Sequence, residues 1–130
     1  MLAKLLLILK NAVKKHVITD CRMEILFRNK GENKILQFEG NLDIYTSPII
    51  KKQAIEKIEE EEVKSFIFDM SKVNYFDSSG IALIANLRKR MLEREGKFAL
   101  LAISYEIKSV LQLASMDRFF TIYATEDDIN

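Results

Sequence analysis

The chain has 130 residues, 48% of them apolar and 30% charged, and its net charge at pH 7 is +1. This length suits one domain with a real core, and this composition excludes an intrinsically disordered protein. The nearly neutral charge gives no general reason to expect a nucleic-acid partner.

The first segment, residues 1–22, carries five Lys/Arg and one Asp, a local charge of +4. Its apolar residues share one face of a predicted helix: Leu2, Leu5, Leu6, Leu9, Ala12 and Val13. The apolar run 5–9 is too short to cross a bilayer, and no small-residue cleavage site follows it. Three interpretations remain: packing on the domain or a second subunit, contact of residues 2–15 with a membrane, or a peripheral position before a domain that starts at Met23. We favour packing.

Two strands are predicted next. Met23 to Arg28 alternates apolar and polar residues, which is typical of a half-buried strand, and Ile35 to Glu39 predicts its antiparallel partner after a turn. Gly40-Asn41-Leu42-Asp43 is predicted to end the second strand. Asp43 is a turn former or, if its loop lies beside Ser78, part of a site.

A helix is predicted to follow, with Ser47 as N-cap and Pro48 at its first position. Its buried stripe is expected to contain Ile50, Ala54, Ile55 and Ile58. The acidic run 59–62 indicates a solvated end of the helix, since carboxylates are disfavoured there by the helix dipole. The apolar stretch from Phe66 to Met70 predicts a strand covered on both faces, and the helices around it favour parallel pairing.

The stretch Asp77-Ser78-Ser79-Gly80 joins that strand to the next helix. Asp77 is predicted to be the N-cap, Ser78 and Ser79 fall in the first turn, and Gly80 lets another backbone come close. Free N–H groups and the helix dipole would stabilise a phosphate at this point. On the residues alone, an ordinary N-cap explains the same stretch, so both interpretations stay open.

The helix from Ser78 to about Arg94 has an unusual apolar distribution. Residues 81–85 are all apolar and go round its whole circumference. Either apolar surface stays uncovered near Ser78, which indicates a protein interface, or a neighbouring helix covers it.

The last part of the chain predicts two more strands and one or two helices. Gly96 ends the preceding helix, Phe98 to Ile103 is a buried strand, and Phe119 to Tyr123 is the last strand. Ser104 caps a helix whose inward residues are Ile107, Val110, Leu111 and Ala114. Residues 125–128 begin another helix. The fold class is therefore α/β, with a mixed sheet of about five strands, three to four helices and an extra N-terminal helix.

Enzymatic and metal chemistry have little support. His16 is the one His, so the serines lack a base, and the Gly-x-Ser-x-Gly pattern is absent. We expect no catalytic residue. One Cys and one His give no credible metal cluster. Cys21 cannot form an internal disulfide, which fits a reducing cytoplasm.

Four stretches resemble the STAS domain, the sulphate transporter and anti-sigma factor antagonist domain. They are Gly40-Asn41-Leu42-Asp43, Phe66-Ile67-Phe68-Asp69-Met70-Ser71, Tyr75-Phe76-Asp77-Ser78-Ser79-Gly80-Ile81, and Leu111-Gln112-Leu113-Ala114-Ser115-Met116-Asp117 before Phe119-Phe120. The resemblance runs from Met23 to Glu126 and implies a STAS domain over residues 23–130, preceded by the amphipathic extension 1–22. The extension lies outside the usual domain, and the family's C-terminal helix is nearly missing.

The resemblance implies a bacterial anti-sigma-factor antagonist. Such proteins bind an anti-sigma factor that is also a serine kinase and thereby free the sigma factor. The kinase, with ATP as its co-substrate, phosphorylates the first serine after the motif Asp, here Ser78, and a serine phosphatase restores it. By the same resemblance, partner binding or phosphorylation is supported by five residues: Asp43, Asp77, Ser79, Gly80 and Ile81. No cofactor is implied.

A second hypothesis is a non-catalytic STAS module in a stress-signalling scaffold or beside a membrane transporter. The basic amphipathic residues 2–15 favour the transporter version.

Overall fold

A computed structural model describes residues 23–129, so the predicted N-terminal helix within residues 1–22 lies outside the described residues. The strands are β1 (Glu24–Lys30), β2 (Asn33–Leu42), β3 (Ser65–Asp69), β4 (Val73–Phe76), β5 (Lys97–Leu101) and β6 (Thr121–Tyr123). The helices are α1 (Ser47–Glu60), α2 (Ser78–Glu93) and α3 (Tyr105–Leu113). Two 3₁₀ turns, Asp117–Phe119 and Glu126–Asp128, flank β6.

The sheet is mixed, as the sequence predicts. Its strand order is β1-β2-β3-β5-β6, and β4 pairs with β2 beyond the end of β3. Only β1 is antiparallel to its neighbour among the described strands, because the β1–β2 hairpin reverses the chain while helices connect the parallel strands. The predicted hairpin and parallel unit are both confirmed.

The sheet has six strands instead of about five, since β4 was not predicted. Its residues Asn74 and Tyr75 are exposed, so the short strand lacks the apolar pattern that marks the others. The prediction that Gly40-Asn41-Leu42-Asp43 ends β2 is wrong for its first three residues, because Gly40 to Leu42 continue the strand and pair with β4.

Several element ends also differ from the predictions. Thr46, not Ser47, is the N-cap of α1, because a tight turn from Asp43 brings the Ser47 N–H to the Asp43 carbonyl oxygen at 2.9 Å. Strand β5 ends at Leu101, where Ala102 adopts a left-handed conformation with φ of 56°. The helix expected at residues 125–128 is a single 3₁₀ turn with a capping box.

All three helices bury their apolar residues on one face of the sheet. The main core contains the α1 stripe Ile50, Ala54 and Ile58, together with residues from α2, α3 and the strands. In α3, Ile107 and Leu111 are buried, whereas Ala114 is exposed and does not face inward as predicted. This packing leaves the acidic run 59–62 exposed, as the sequence predicts.

Candidate functional site

Asp43 and Asp77 directly follow two paired strands, at the same end of the sheet. Strands β2 and β4 are parallel, and their last residues, Leu42 and Phe76, are paired. The next residue after each is Asp43 and Asp77, so the two loops start side by side. The structure therefore brings the loop of Asp43 to the loop of Ser78, which the sequence left open.

Asp77 caps α2, as the sequence predicts. Its backbone is extended, and its Oδ1 accepts a hydrogen bond from the Ser79 N–H at 2.8 Å. Ser78 is the first residue of α2 and is exposed, whereas Ser79 is half-buried. The Asp77 carboxylate already occupies the Ser79 N–H, so a phosphate on Ser78 would compete with that carboxylate.

A tyrosine at the end of β4 belongs to the same end of the sheet. A side-chain hydrogen bond to Asp77 raises the pKa of the Tyr75 hydroxyl, and the negative charges of Asp77 and Asp43 act in the same direction. Tyr75 is 51% exposed and lies beside the two carboxylates. The sequence contained Tyr75 in its motif but gave no sign of this role.

Gly80 is buried beneath the site. A Cβ at Gly80 would lie 2.5 Å from Phe76 Cε1 and 3.0 Å from Leu42 Cδ2. The prediction that Gly80 admits another backbone is therefore wrong, because side chains of β4 and β2 occupy that space. Ile81 is half-buried against the main core. These two residues hold the start of α2 against the strand ends.

Asp43 is a turn former in the structure. Its Oδ1 accepts hydrogen bonds from the N–H groups of Tyr45 at 2.9 Å and Thr46 at 3.1 Å. The Thr46 hydroxyl in turn donates to the Asn41 carbonyl oxygen at 2.7 Å. This turn leaves Ile44 68% and Tyr45 80% exposed at its tip.

The two roles of Asp43 can be separated by substitution. Asp43→Ala removes both accepted hydrogen bonds and is expected to lower the free energy of unfolding by about 1 kcal/mol, as loss of a comparable cap does. Asp43→Asn keeps an accepting oxygen and removes the charge, so we expect a change below about 0.5 kcal/mol. Urea unfolding of the two variants measures this. Equal destabilisation by Asn and Ala would show that the charge, and not the hydrogen bonds, holds the turn.

A groove lies between the start of α1 and the first turns of α2. Its volume is about 360 Å³, and its lining includes Ile44, Pro48, Lys51, Ser79, Ala82 and Asn86. Leu83 and Ile84 are buried, whereas Ala82 stays exposed in the groove. Both alternatives for the apolar run 81–85 therefore apply, since α1 lies against α2 and leaves part of the run uncovered.

The sequence analysis did not predict Ile44 and Tyr45 as site residues. The one sign of their role in the sequence is that both are apolar residues in a turn.

Residues 23–129 contain neither a metal-binding cluster nor a membrane-spanning helix. In that range, no three His, Cys, Asp or Glu side chains are grouped so that they could hold a metal ion. The helices of the same range are too short or too polar to cross a membrane.

Comparison with known proteins identifies relatives that align with most of the domain. The anti-sigma F factor antagonist of Paenibacillus polymyxa is 23% identical over 92 residues, which covers 71% of this chain and 79% of that protein. The anti-sigma-B factor antagonist of Listeria monocytogenes is 24% identical over 91 residues, covering 70% of this chain and 79% of that protein.

Solved structures share the fold. The unphosphorylated form of the anti-sigma factor antagonist SpoIIAA has a TM-score of 0.69 and 21% identity, covering 80% of this chain and 90% of that one. The phosphorylated form of SpoIIAA, a Bacillus cell fate determinant, has a TM-score of 0.63 and covers 80% of this chain and 94% of that one. The STAS domain family model matches residues 24–129, from β1 to the C-terminal turn. The chain therefore belongs to the STAS domain family.

Proposed function

We propose that the chain is an anti-sigma factor antagonist that binds an anti-sigma factor through the surface around Ser78 and thereby frees a sigma factor. The observation that carries the proposal is the exposed Ser78 at the start of α2, beside the Asp77 cap and the Asp43 turn. Antagonist relatives that cover most of the domain support it.

Exposed apolar side chains surround the serine and suit a protein partner. Ile44, Tyr45 and Tyr75 are each more than half exposed, and the groove between α1 and α2 begins at Ser79. Exposed apolar residues rimmed by carboxylates are typical of a protein interface. The anti-sigma factor is expected to cover these residues together with Ser78.

The switch is phosphorylation of Ser78 by the anti-sigma factor acting as a serine kinase. The Ser78 Oγ bonds to the γ-phosphorus of ATP, the bond to the β-phosphate oxygen breaks, and ADP leaves while the hydroxyl proton passes to a base of the kinase. A serine phosphatase hydrolyses the ester and restores the hydroxyl. This role is regulatory and requires no catalytic residue, metal or cofactor in the chain itself. An antagonist that frees a sigma factor acts in the cytoplasm, where the sigma factor is.

A phosphorylation assay tests the proposal. The protein is incubated with ATP and each anti-sigma kinase of its own organism, and the product is analysed by intact mass and site mapping. We expect one phosphoryl group, on Ser78, because Ser78 is exposed while Ser79 is half-buried. Ser78→Ala is expected to abolish modification and retain the complex, whereas the matched variant Ser79→Ala should still be modified.

Two outcomes would contradict parts of the proposal. Modification that persists in Ser78→Ala would remove Ser78 from the switch. A stable complex without modification by any kinase would instead favour a constitutive antagonist or a non-catalytic scaffold module.

A further inference from the structure

The face of the sheet opposite the helices carries a second apolar cluster. We call this surface the second sheet face. Its buried residues are Ile35, Ile67, Ala99, Leu101 and Ile129, and Ala102 and Tyr123 pack against them. The strand registers place Ile35, Ile67 and Ala99 side by side across β2, β3 and β5. The cluster is thus one continuous apolar strip.

The second sheet face is buried although the helices lie elsewhere. Ile35 and Ile67 are 0% and 1% exposed. The buried apolar side chains of α1, α2 and α3 all belong to the main core on the opposite face. Within residues 23–129, the contribution to the second cluster from outside the strands and their ends is Ile129 of the C-terminal turn. Ala102 and Tyr123 also pack against the cluster on its β5 and β6 side, and Arg28 lies beside Ile35 on its β1 side. These few side chains are too small to cover a strip that spans several strands.

We propose that the second sheet face is the docking surface for residues 2–13 of the same chain. The apolar positions of that segment repeat at helical spacing on one side, so it has a complementary apolar stripe. It joins the domain at Met23, directly before β1, which is the strand next to β2.

The dimensions of segment and face agree. As a helix, residues 2–13 would be about 18 Å long, and the span from β2 to β6 across the sheet is about 14 Å. The nine residues from Lys14 to Arg22 can reach about 30 Å when extended. They therefore allow the segment to lie across the strip without strain.

Charge also favours this occupant. Residues 1–22 carry +4, and the remaining residues, with 15 Lys/Arg and 18 Asp/Glu, carry −3. In the C-terminal turn beside Ile129, Glu126 is paired with Arg28, and Asp127 and Asp128 keep the turn acidic. Attraction between the basic segment and this acidic turn orients the segment on the apolar strip.

Photo-crosslinking of the full chain tests the proposal. A benzophenone amino acid replaces Leu6 on the apolar side or, as the matched control, Lys4 on the polar side. We expect position 6 to crosslink within one chain to peptides of β3 and β5 that contain Ile67 or Ala99, and position 4 to give much less of this product. In parallel, Leu6→Ala with Leu9→Ala should lower the urea midpoint and increase binding of an apolar dye, whereas Lys4→Ala should change neither.

Other products would overturn the proposal. Crosslinks between two chains would show that a second copy takes the segment, and crosslinks to the groove between α1 and α2 would place it at the partner surface. Binding of the full chain to anionic vesicles, with no position 6 crosslink to β3 or β5 in their absence, would assign the segment to a membrane. If position 6 gives no crosslink to the second sheet face at all, the docking does not exist.

Discussion

Phosphorylation of Ser78 is expected to weaken the complex with the anti-sigma factor by roughly two to three orders of magnitude, which corresponds to about 3–4 kcal/mol. A phosphoserine carries close to two negative charges at neutral pH. On the free protein, water and the N-terminus of α2 stabilise this charge, the helix contributing about 0.3–1 kcal/mol. In the complex the same dianion would lie without water beside Asp77 and the Asp43 turn.

The capping geometry strengthens this argument. Asp77 Oδ1 accepts a hydrogen bond from the Ser79 N–H, with 2.8 Å between nitrogen and oxygen. A phosphate can therefore accept from the same N–H only by displacing the carboxylate. Either the two anions stay close together, or the cap is lost. Two anions held close together at an interface without water cost several kcal/mol unless the partner supplies cations, and loss of the cap costs about 1 kcal/mol. The switch therefore needs no refolding of the domain.

Titration calorimetry at fixed salt measures the effect on the phosphorylated and unphosphorylated chains. Ser78→Asp and Ser78→Asn have nearly the same shape and differ in charge, so they separate repulsion from crowding. We expect Ser78→Asp to weaken binding less than the phosphate does, since one carboxylate carries less charge, and Ser78→Asn to bind more tightly than Ser78→Asp. The electrostatic explanation fails if Asn and Asp weaken the complex equally, or if the phosphorylated chain binds as tightly as the parent.

Local chemistry made much of the fold and of the loop predictable. Asp77 caps α2 because a carboxylate before a helix accepts its first N–H groups, and that pattern is visible in four consecutive residues. The buried strand β3 and the cap at Ser104 were predictable for similar reasons. The cap of α1 was misplaced because the choice of Thr46 depends on a turn that starts at Asp43.

Pairing between distant segments was not predictable. The closeness of Asp43 to the Ser78 loop depends on β4, a strand with two exposed residues out of four. An isolated sequence does not show which short segment pairs with the end of β2. The site was therefore predicted as a list of residues, and the structure supplies its geometry.

Arg28 is the clearest case of a contact that the sequence conceals. The sequence predicts only a polar position on β1, but the Arg28 Nη2 contacts Asp69 Oδ2 on β3 at 2.9 Å, 41 residues away. Its guanidinium also donates to Gln37 Oε1 at 3.0 Å and contacts the Glu126 carboxylate. Asp69 is only 4% exposed, and its other oxygen accepts the Ser71 N–H at 2.9 Å. Arg28 thus links three strands and the C-terminal turn on the second sheet face.

Arg28→Ala is expected to lower the free energy of unfolding by about 3 kcal/mol, because it leaves the buried Asp69 carboxylate without its cation. This is the lower end of the range for a broken buried pair, since the Arg28 side chain is 35% exposed. The matched control is Glu126→Gln, which removes a carboxylate that is 45% exposed and should cost less than about 1 kcal/mol. Urea unfolding measures both variants.

A double substitution decides whether the lost cation is the cause. If the cost of Arg28→Ala comes from the uncompensated charge, then Arg28→Ala combined with Asp69→Asn should be more stable than Arg28→Ala alone, because a neutral amide keeps the Ser71 hydrogen bond and is less costly to bury. If instead Arg28 acts mainly by packing its aliphatic stem over the strip, the two substitutions will add. Additive costs, or a cost for Arg28→Ala no larger than that of Glu126→Gln, would contradict the role assigned to this ion pair in joining β1 to β3.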